Sequence, residues 1–334
     1  MARPRTMSIG GATFDLFVRM DRSAVTEADG GLSLCFPAGA KIKVEQIIET
    51  CGGGAANTSV GLARLECDTS FCGVVGSDQW GERLLKNLQD EHVDILSATV
   101  VEGENSSSSI ILSLGSGERV ILYNAGTNIH LQDATFDREA ASKCDWLYLT
   151  HLQQGSTIIF DDIITILSHP TKTVGLTWNP GSTQIKEGWG SPENRALLAR
   201  TRVLLVNKEE AAAFTKTKET EEALRILSDA GAAVVCVTDG KNGAMATDGK
   251  TLYRCAPIAD AAVVDVTGAG DAFGTGVTWA ILNGLDLPTA LRAGTISSTS
   301  VLGFFGAQAG LLTNTEMQKR LSSSRPDVQM TPLR

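Results

Sequence analysis

The chain has no basic excess: 29 lysines and arginines face 38 aspartates and glutamates, for a formal charge of −9 and a pI near 5.1. With neither a basic face nor a Lys/Arg run, no nucleic-acid partner is expected. A small phosphate-bearing ligand is not excluded, because a local helix dipole or a bound cation can hold phosphate in an acidic protein. The seven cysteines are odd in number and never form a Cys-x-x-Cys pair. That spacing makes a zinc site unexpected, and the cysteines read as small core residues in a reducing compartment. No apolar run is long enough to span a membrane, and the basic segment at residues 1–6 is followed by none that would make a signal peptide. The protein is expected to be cytoplasmic, with no membrane partner. No internal repeat is visible. Apolar residues at 43% and charged residues at 20% describe a soluble globular protein with ample core. A length of 334 residues suits two domains or one large α/β domain.

The most informative stretch is Val263-Val264-Asp265-Val266-Thr267-Gly268-Ala269-Gly270-Asp271-Ala272-Phe273. An extended run, Ala261 to Val264, meets a turn of small residues, and the turn opens into a helix expected to last until Gly284. Phe273, Val277, Ala280 and Ile281 recur at helical spacing, so one face packs inward. Gly274 and Gly276 are poor helix formers and point to another backbone or a ligand coming close. In the turn, Gly268, Ala269 and Gly270 can aim successive N–H groups at an anion, backed by the positive end of the helix dipole. Asp271 has two readings. A carboxylate in a first helical turn commonly stabilises the helix and nothing more. Beside a phosphate site, it also stands where a base takes the proton of an attacking hydroxyl.

The run from Asp265 to Phe273 resembles the C-terminal signature of the ribokinase (PfkB) family of sugar and nucleoside kinases. The resemblance implies that the Gly268, Ala269 and Gly270 amides form an anion hole and that Asp271 is the catalytic base. It also implies a monovalent cation, potassium, at Asp265 and Thr267. Near the N-terminus, Gly10-Gly11 ends a buried strand and Asp15 follows. Alone, Asp15 is a turn residue; by resemblance it accepts substrate hydroxyls, through charge-assisted bonds. Gly52-Gly53-Gly54-Ala-Ala-Asn57 opens a helix that Asn57 is expected to start. A dinucleotide fingerprint fails here, since its third glycine is Asn57. The family's two glycines and helix-opening Asn fit instead, with Gly52 and Gly53 letting a sugar approach and Asn57 bonding a hydroxyl. Gly54 stands where ribokinases proper tend to carry Lys, a departure that loosens the link to ribose.

Asn207-x-x-Glu210 follows a strand (Arg202 to Val206) and reads either as a helix cap with favourable acids or, by resemblance, as the holder of magnesium's water shell. Thr238-Asp-Gly240-Lys-Asn-Gly243 resembles the family's nucleotide-cradling loop, so Asn207, Thr238, Gly240 and Gly243 are the expected ATP-binding residues. Gly249-Lys250-Thr251 is not a Walker A motif, because Ala244 replaces the needed glycine; Asp248-Gly249 is a hairpin turn. Ala293, Ser297 and Ser298 suit either a flat adenine or tight helix packing. Asp78 is expected to cap a helix, and Asn124 to Asn128 to contact substrate; His151 carries no assignment. At 177–180, Thr177 replaces the Asp of many relatives and no Arg follows, which favours a neutral substrate.

Strands alternate with helices over nearly the whole chain. The expected fold is α/β and ribokinase-like: a doubly wound, mostly parallel sheet with helices on both faces, plus a small β-sheet lid. A single domain is expected over 1–320. Lid segments are placed at about 17–49, with strands 32–36 and 41–47, and at 94–124, with a Gly115-Ser116-Gly117 turn. A loose tail is expected at 321–334, and a homodimer through the lid. The implied function is ATP-dependent phosphorylation of a small neutral sugar or nucleoside, with magnesium. A catalytically idle sugar or nucleotide sensor on the same fold is the alternative. A nicotinamide-dependent dehydrogenase would need the glycine pattern that fails at Gly52. The sequence names neither the substrate nor the hydroxyl.

Overall fold

Two adjacent glycines decide where the chain leaves its main sheet. The computed structural model describes residues 3–20, 25–28, 31–114, 119–132, 136–150, 157–259, 261–323 and 326–333. The Gly115–Gly117 turn and His151 lie outside the described residues.

The first elements are β1 (Arg5–Ile9), β2 (Thr13–Met20), β3 (Val25–Ala28), β4 (Gly31–Leu34), β5 (Gln46–Gly52), α1 (Gly54–Arg64), β6 (Asp68–Gly76), α2 (Gln79–Asp90), β7 (Ala98–Val101), β8 (Ser108–Leu114) and β9 (Arg119–Asn124). Next come α3 (Arg138–Lys143), β10 (Trp146–Leu149), α4 (Thr157–Leu167), β11 (Gly175–Trp178), α5 (Ser182–Glu187), α6 (Pro192–Leu198), β12 (Val203–Asn207), α7 (Lys208–Thr215) and α8 (Thr220–Asp229). The chain finishes with β13 (Val235–Thr238), β14 (Ala244–Thr247), β15 (Thr251–Cys255), α9 (Ala269–Leu282), α10 (Leu287–Val301), α11 (Asn314–Ser323) and β16 (Val328–Pro332).

Among the described residues, a ten-stranded sheet has the order β16-β15-β14-β13-β12-β11-β10-β1-β6-β7. From β7 to β13 every pairing is parallel, and β14, β15 and β16 continue antiparallel. Strand alternation gives the sheet two buried faces. Leu147 and Leu149 of β10 join Met7, Ile9, Leu176 and Trp178 on one side. Trp146 and Tyr148 join Leu205, Phe273 and Val277 on the other. Both faces are covered by helices, as a parallel sheet requires.

A second sheet has the order β5-β2-β8-β9. Gly10, with φ of 144°, and Gly11 break the first strand, and the chain re-forms as β2, paired on both sides by β5 and β8. The expected lid strands differ here. Residues 41–45 are not a strand; the strand begins at Gln46, and β2 supplies the centre of the sheet. Period-2 alternation within Thr13–Met20 was masked by the buried run ahead of it.

Two further expectations are corrected. Asn57 does not start α1. Gly53, with φ of 95°, takes the cap position, the helix begins at Gly54, and the Ala55 and Ala56 amides point at the Gly11 carbonyl. The tail is not loose. After α11, residues Val328–Pro332 pair antiparallel with β15 and form the edge strand of the main sheet. Asp78 caps α2 as expected, accepting from the Gly81 amide at 2.8 Å.

Helices α9 and α10 cross with their backbones close. A Cβ on Gly276 would lie 2.5 Å from the Ala293 carbonyl oxygen, and one on Gly274 would strike the Tyr148 hydroxyl. These glycines therefore serve packing. Gly276→Ala is expected to lower stability: crowding a backbone costs about 1–3 kcal/mol, more than the roughly 1 kcal/mol gained in helix propensity. A melting temperature equal to or above wild type would contradict this contact.

Candidate active site

The glycine-rich turn after β13 and the head of α9 face each other across one cavity of about 530 Å³. Thr238, Gly240 and Gly243 line it on one side, Ala269 and Gly270 on another. Pro257, Ile258, Val263, Phe273 and Leu302 make its walls largely apolar, with Thr295, Ser298 and Thr299 of α10 contributing hydroxyls. A flat ring with a charged tail would find an apolar slot ending at a helix N-terminus, where orphan N–H groups and the dipole favour an anion. Gly268 adopts the left-handed region at φ 76°, and a Cβ there would collide with Ala307. Gly270 faces open space, with nothing within 4 Å of an added Cβ. The Ala269 N–H instead reaches back to the Val266 carbonyl at 3.3 Å. Of the small residues on α10, Ser298 lines the cavity, while Ala293 and Ser297 pack against Gly276.

The N-terminal candidates gather where β2, β5 and α1 meet. Thr13 pairs with Gly52, and a Cβ on Gly52 would lie 2.3 Å from Asp15 Oδ2. A Cβ on Gly53 would strike the backbone of residues 11–13. Both glycines are thus demanded by the protein's own close packing. Asp15 is buried and hydrogen-bonded by Ser109, and burial pushes its pKa up to about 6, with the nearby Asp265 carboxylate adding to the rise. Asn128 is also buried, its Nδ2 would lie 2.8 Å from a Cβ on Gly11, and its Oδ1 has no hydrogen-bond partner. An orphaned acceptor of this kind is costly to bury and fits a ligand hydroxyl.

Asp271 joins the two halves. Asn57 Nδ2 donates to Asp271 Oδ2 at 2.8 Å, across 214 residues of sequence. Desolvation raises the Asp271 pKa to about 6; the Asn57 bond opposes the rise and the Glu210 charge adds to it. Asn57 Oδ1 in turn accepts from Gln308 Nε2 at 3.2 Å.

The cation candidates are engaged within the protein. Glu210 and Asn207 form a reciprocal cap on α7: the Asn207 side chain accepts from the Glu210 amide, and the Glu210 carboxylate from the Asn207 amide, both at 2.8 Å. Neither lines the cavity, although Asn207 at the end of β12 pairs in register with Thr238, which does. Burial raises the Glu210 pKa, and its carboxylate is within electrostatic reach of Asp271. Asp265 Oδ1 accepts from the Thr267 amide and hydroxyl at 3.1 and 2.8 Å, and Oδ2 accepts from the Gly306 amide at 3.1 Å. Arg119 of β9 adds a charged contact at 3.4 Å. Arg119, Ser109 and Gln308 escape sequence reasoning, because isolated polar residues in strands and loops carry no periodic signal.

Residues 12–314 match the pfkB family of carbohydrate kinases. An ATP-dependent ribose-1-phosphate kinase of Halopiger xanaduensis is 28% identical over 307 residues, 91% of this chain and 94% of the relative. A ribokinase of Bacillus subtilis is 27% identical over 275 residues, 81% of this chain and 87% of the relative. Among solved structures, an Arabidopsis thaliana ribokinase complexed with ribose and ATP superposes with a TM-score of 0.79 at 22% identity, covering 97% of this chain and all of that one. A Burkholderia thailandensis nucleoside kinase in complex with inosine does so with a TM-score of 0.78 at 17% identity, covering 96% of this chain and 100% of that one. Among the described residues, no helix is long and apolar enough to cross a membrane. With the glycine-rich turn, the Gly-Ala-Gly helix head and a single match spanning most of its length, the chain belongs to the pfkB family of carbohydrate kinases.

Proposed function

We propose that this kinase transfers the γ-phosphate of ATP to a hydroxyl of a small neutral sugar or nucleoside, with Asp271 as the general base. The observation that carries the reading is the Asn57–Asp271 bond. It sets one carboxylate between the cavity at the head of α9 and the cluster of Asp15, Gly52, Gly53 and Asn128. The acceptor hydroxyl loses its proton to Asp271 as its oxygen attacks, while Asp15 and the Asn128 carbonyl oxygen orient neighbouring hydroxyls. The amides at the head of α9, chiefly those of Gly268 and Gly270, face the charge on the transferring group. Ala269, already bonded to Val266, contributes through its place in the turn. Thr238, Gly240 and Gly243 cradle the nucleotide. Positioning and fixed dipoles supply most of the acceleration.

Magnesium fits this arrangement as an ion carried mainly by phosphate oxygens and water. Among the described residues, no group of three or more His, Cys, Asp or Glu converges on one point, and Glu210 offers a single carboxylate near Asp271. Bound magnesium would neutralise charge across the phosphates. Potassium fits less well, since four donors already occupy Asp265, Arg119 among them. Potassium activation is therefore expected to be weak in the wild type and to grow in Arg119→Met, measured against a bulky organic cation at equal ionic strength. Equal potassium dependence in both proteins would discard this competition. Exposed Ile110, Ile121, Leu122 and Tyr123 on the small sheet suit contact with a second copy, which sedimentation would detect as a dimer.

Asp15 and Asp271 both have pKa values raised to about 6 by burial. If both act ionised, kcat/KM falls below about pH 6 with a limiting slope approaching two. At saturating sugar, kcat falls with a slope of one. Asp271→Asn is expected to reduce kcat on the order of 100-fold or more. It should also raise the melting temperature at pH 7.5. A carboxylate whose folded pKa lies above its unfolded value disfavours the native state once ionised, a penalty that builds between about pH 4 and 6. A variant with wild-type kcat would overturn the base assignment. ATP consumption across a panel of sugars and nucleosides, if absent for every member, would favour an idle sensor.

A further inference from the structure

Three amides stand in line behind the base. Asn87 of α2 donates from Nδ2 to Gln308 Oε1 at 2.8 Å. Gln308 donates from Nε2 to Asn57 Oδ1 at 3.2 Å, and Asn57 donates from Nδ2 to Asp271 Oδ2 at 2.8 Å. Asn57 and Gln308 are both buried. An amide presents a donor at one end and an acceptor at the other, whereas an ionised carboxylate only accepts. The charge on Asp271 therefore fixes the orientation of Asn57, which fixes Gln308, which fixes Asn87. Read the other way, Gln308 holds Asn57 with its N–H group facing the base.

The backbone at Gln308 is itself clamped. Arg64, in the last turn of α1, donates from Nη1 to the carbonyls of Gln308 and Leu311, both at 2.9 Å. Glu91 accepts from the opposite edge of that guanidinium, from Nε and Nη2, at 2.8 and 2.6 Å. Such bidentate pairs set geometry as well as energy. Nearby, the Gly306 amide is tied to Asp265. The segment 306–311 cannot turn its glutamine away without breaking several bonds.

We propose that Gln308 is a positioning residue for the phosphoryl-transfer step: it keeps Asn57 donating to Asp271 and so holds the base ionised at working pH. This rests on Asp271 being the base. Asn57 opposes the burial-driven rise in the Asp271 pKa. An Asn57 freed to flip would set its carbonyl oxygen against the carboxylate and let that pKa climb.

The polarity of the line supplies the test. Gln308→Glu keeps the size and still accepts from Asn87, but as a carboxylate it accepts from Asn57 and turns the Asn57 oxygen toward Asp271. Asn87→Asp reverses the line from its far end without touching any proposed substrate or base residue. In both variants the acid limb of the kcat profile is expected to move up by about one pH unit. At pH 5 that is roughly a tenfold loss against wild type, and at pH 6 about fivefold, disappearing above pH 8, with the KM for ATP unchanged. Gln308→Leu, which leaves Asn57 unheld, is expected to move the limb by less. Melting temperatures of the three variants verify folding, and if either Gln308→Glu or Asn87→Asp does not fold, the other carries the comparison. If Gln308→Glu and Asn87→Asp fold and keep the wild-type acid limb, or lose activity equally at all pH values, the positioning role is overturned. Asp271→Asn, run alongside, separates the two ideas. An inactive Asp271→Asn beside unshifted relay variants removes Gln308 and leaves the base, whereas an active Asp271→Asn removes both.

Discussion

A carboxylate partly withdrawn from water at the head of a helix needs donors from beyond that helix, and much of this molecule's arrangement follows from meeting that need. The dipole of α9 and its first-turn amides favour negative charge, yet desolvation still lifts the Asp271 pKa to about 6. The missing hydrogen bond comes from Asn57 on α1. That helix is set in turn by Gly53 at its positive φ and by the Gly11 carbonyl beneath its first amides. Gly11 stands where the chain leaves the ten-stranded sheet for the smaller one. Thus the same break that sends β2 outward also places Asp15 beside Gly52 and seats the helix whose Asn57 steadies Asp271. Close packing of glycine against backbone at residues 52 and 53 is what makes the junction tight enough.

Much of this was readable in the residues, and the parts that were not share a physical cause. The parallel sheet was legible because its strands are short apolar runs separated by helical periodicity, and the helix from Ala269 was legible from its spacing and small-residue turn. Asp265, Gly268, Gly270 and Asp271 were visible as a constellation because they are contiguous. β2 was missed because the strand before it is apolar too, and only a change of sheet, invisible to local pattern, divides them. The last strand was missed because Val328–Pro332 is short and mostly exposed, as suits an edge, lies in a polar tail, and carries a proline that reads as a break. Asn57 was placed correctly in chain position and wrongly as a cap, since a glycine with positive φ competes for that role without any side-chain signature.

Long-range polar contacts were the least legible. Arg119 on Asp265, Ser109 on Asp15 and Gln308 on Asn57 each join segments tens to hundreds of residues apart, and no propensity or period records them. They are also what distinguishes a family-wide motif from the working site of one chain. Asp265 reads as a cation ligand in the motif, yet in the fold it is satisfied by a turn and by an arginine from the small sheet.

The 214-residue separation between Asn57 and Asp271 also bears on how the protein comes into being. During synthesis, a chain that has emerged through β6 already carries Asp15, Gly52 and Asn57, but their partner at the head of α9 does not yet exist. Ligand present in the cell cannot stabilise the first half by binding to it, because binding energy reaches folding only through a formed site. The early strands must wait on contacts distant in sequence, which slows folding and leaves apolar strand edges exposed meanwhile. Production of this enzyme at reduced temperature, with sugar and nucleotide supplied after the chain is complete, follows from that order of assembly.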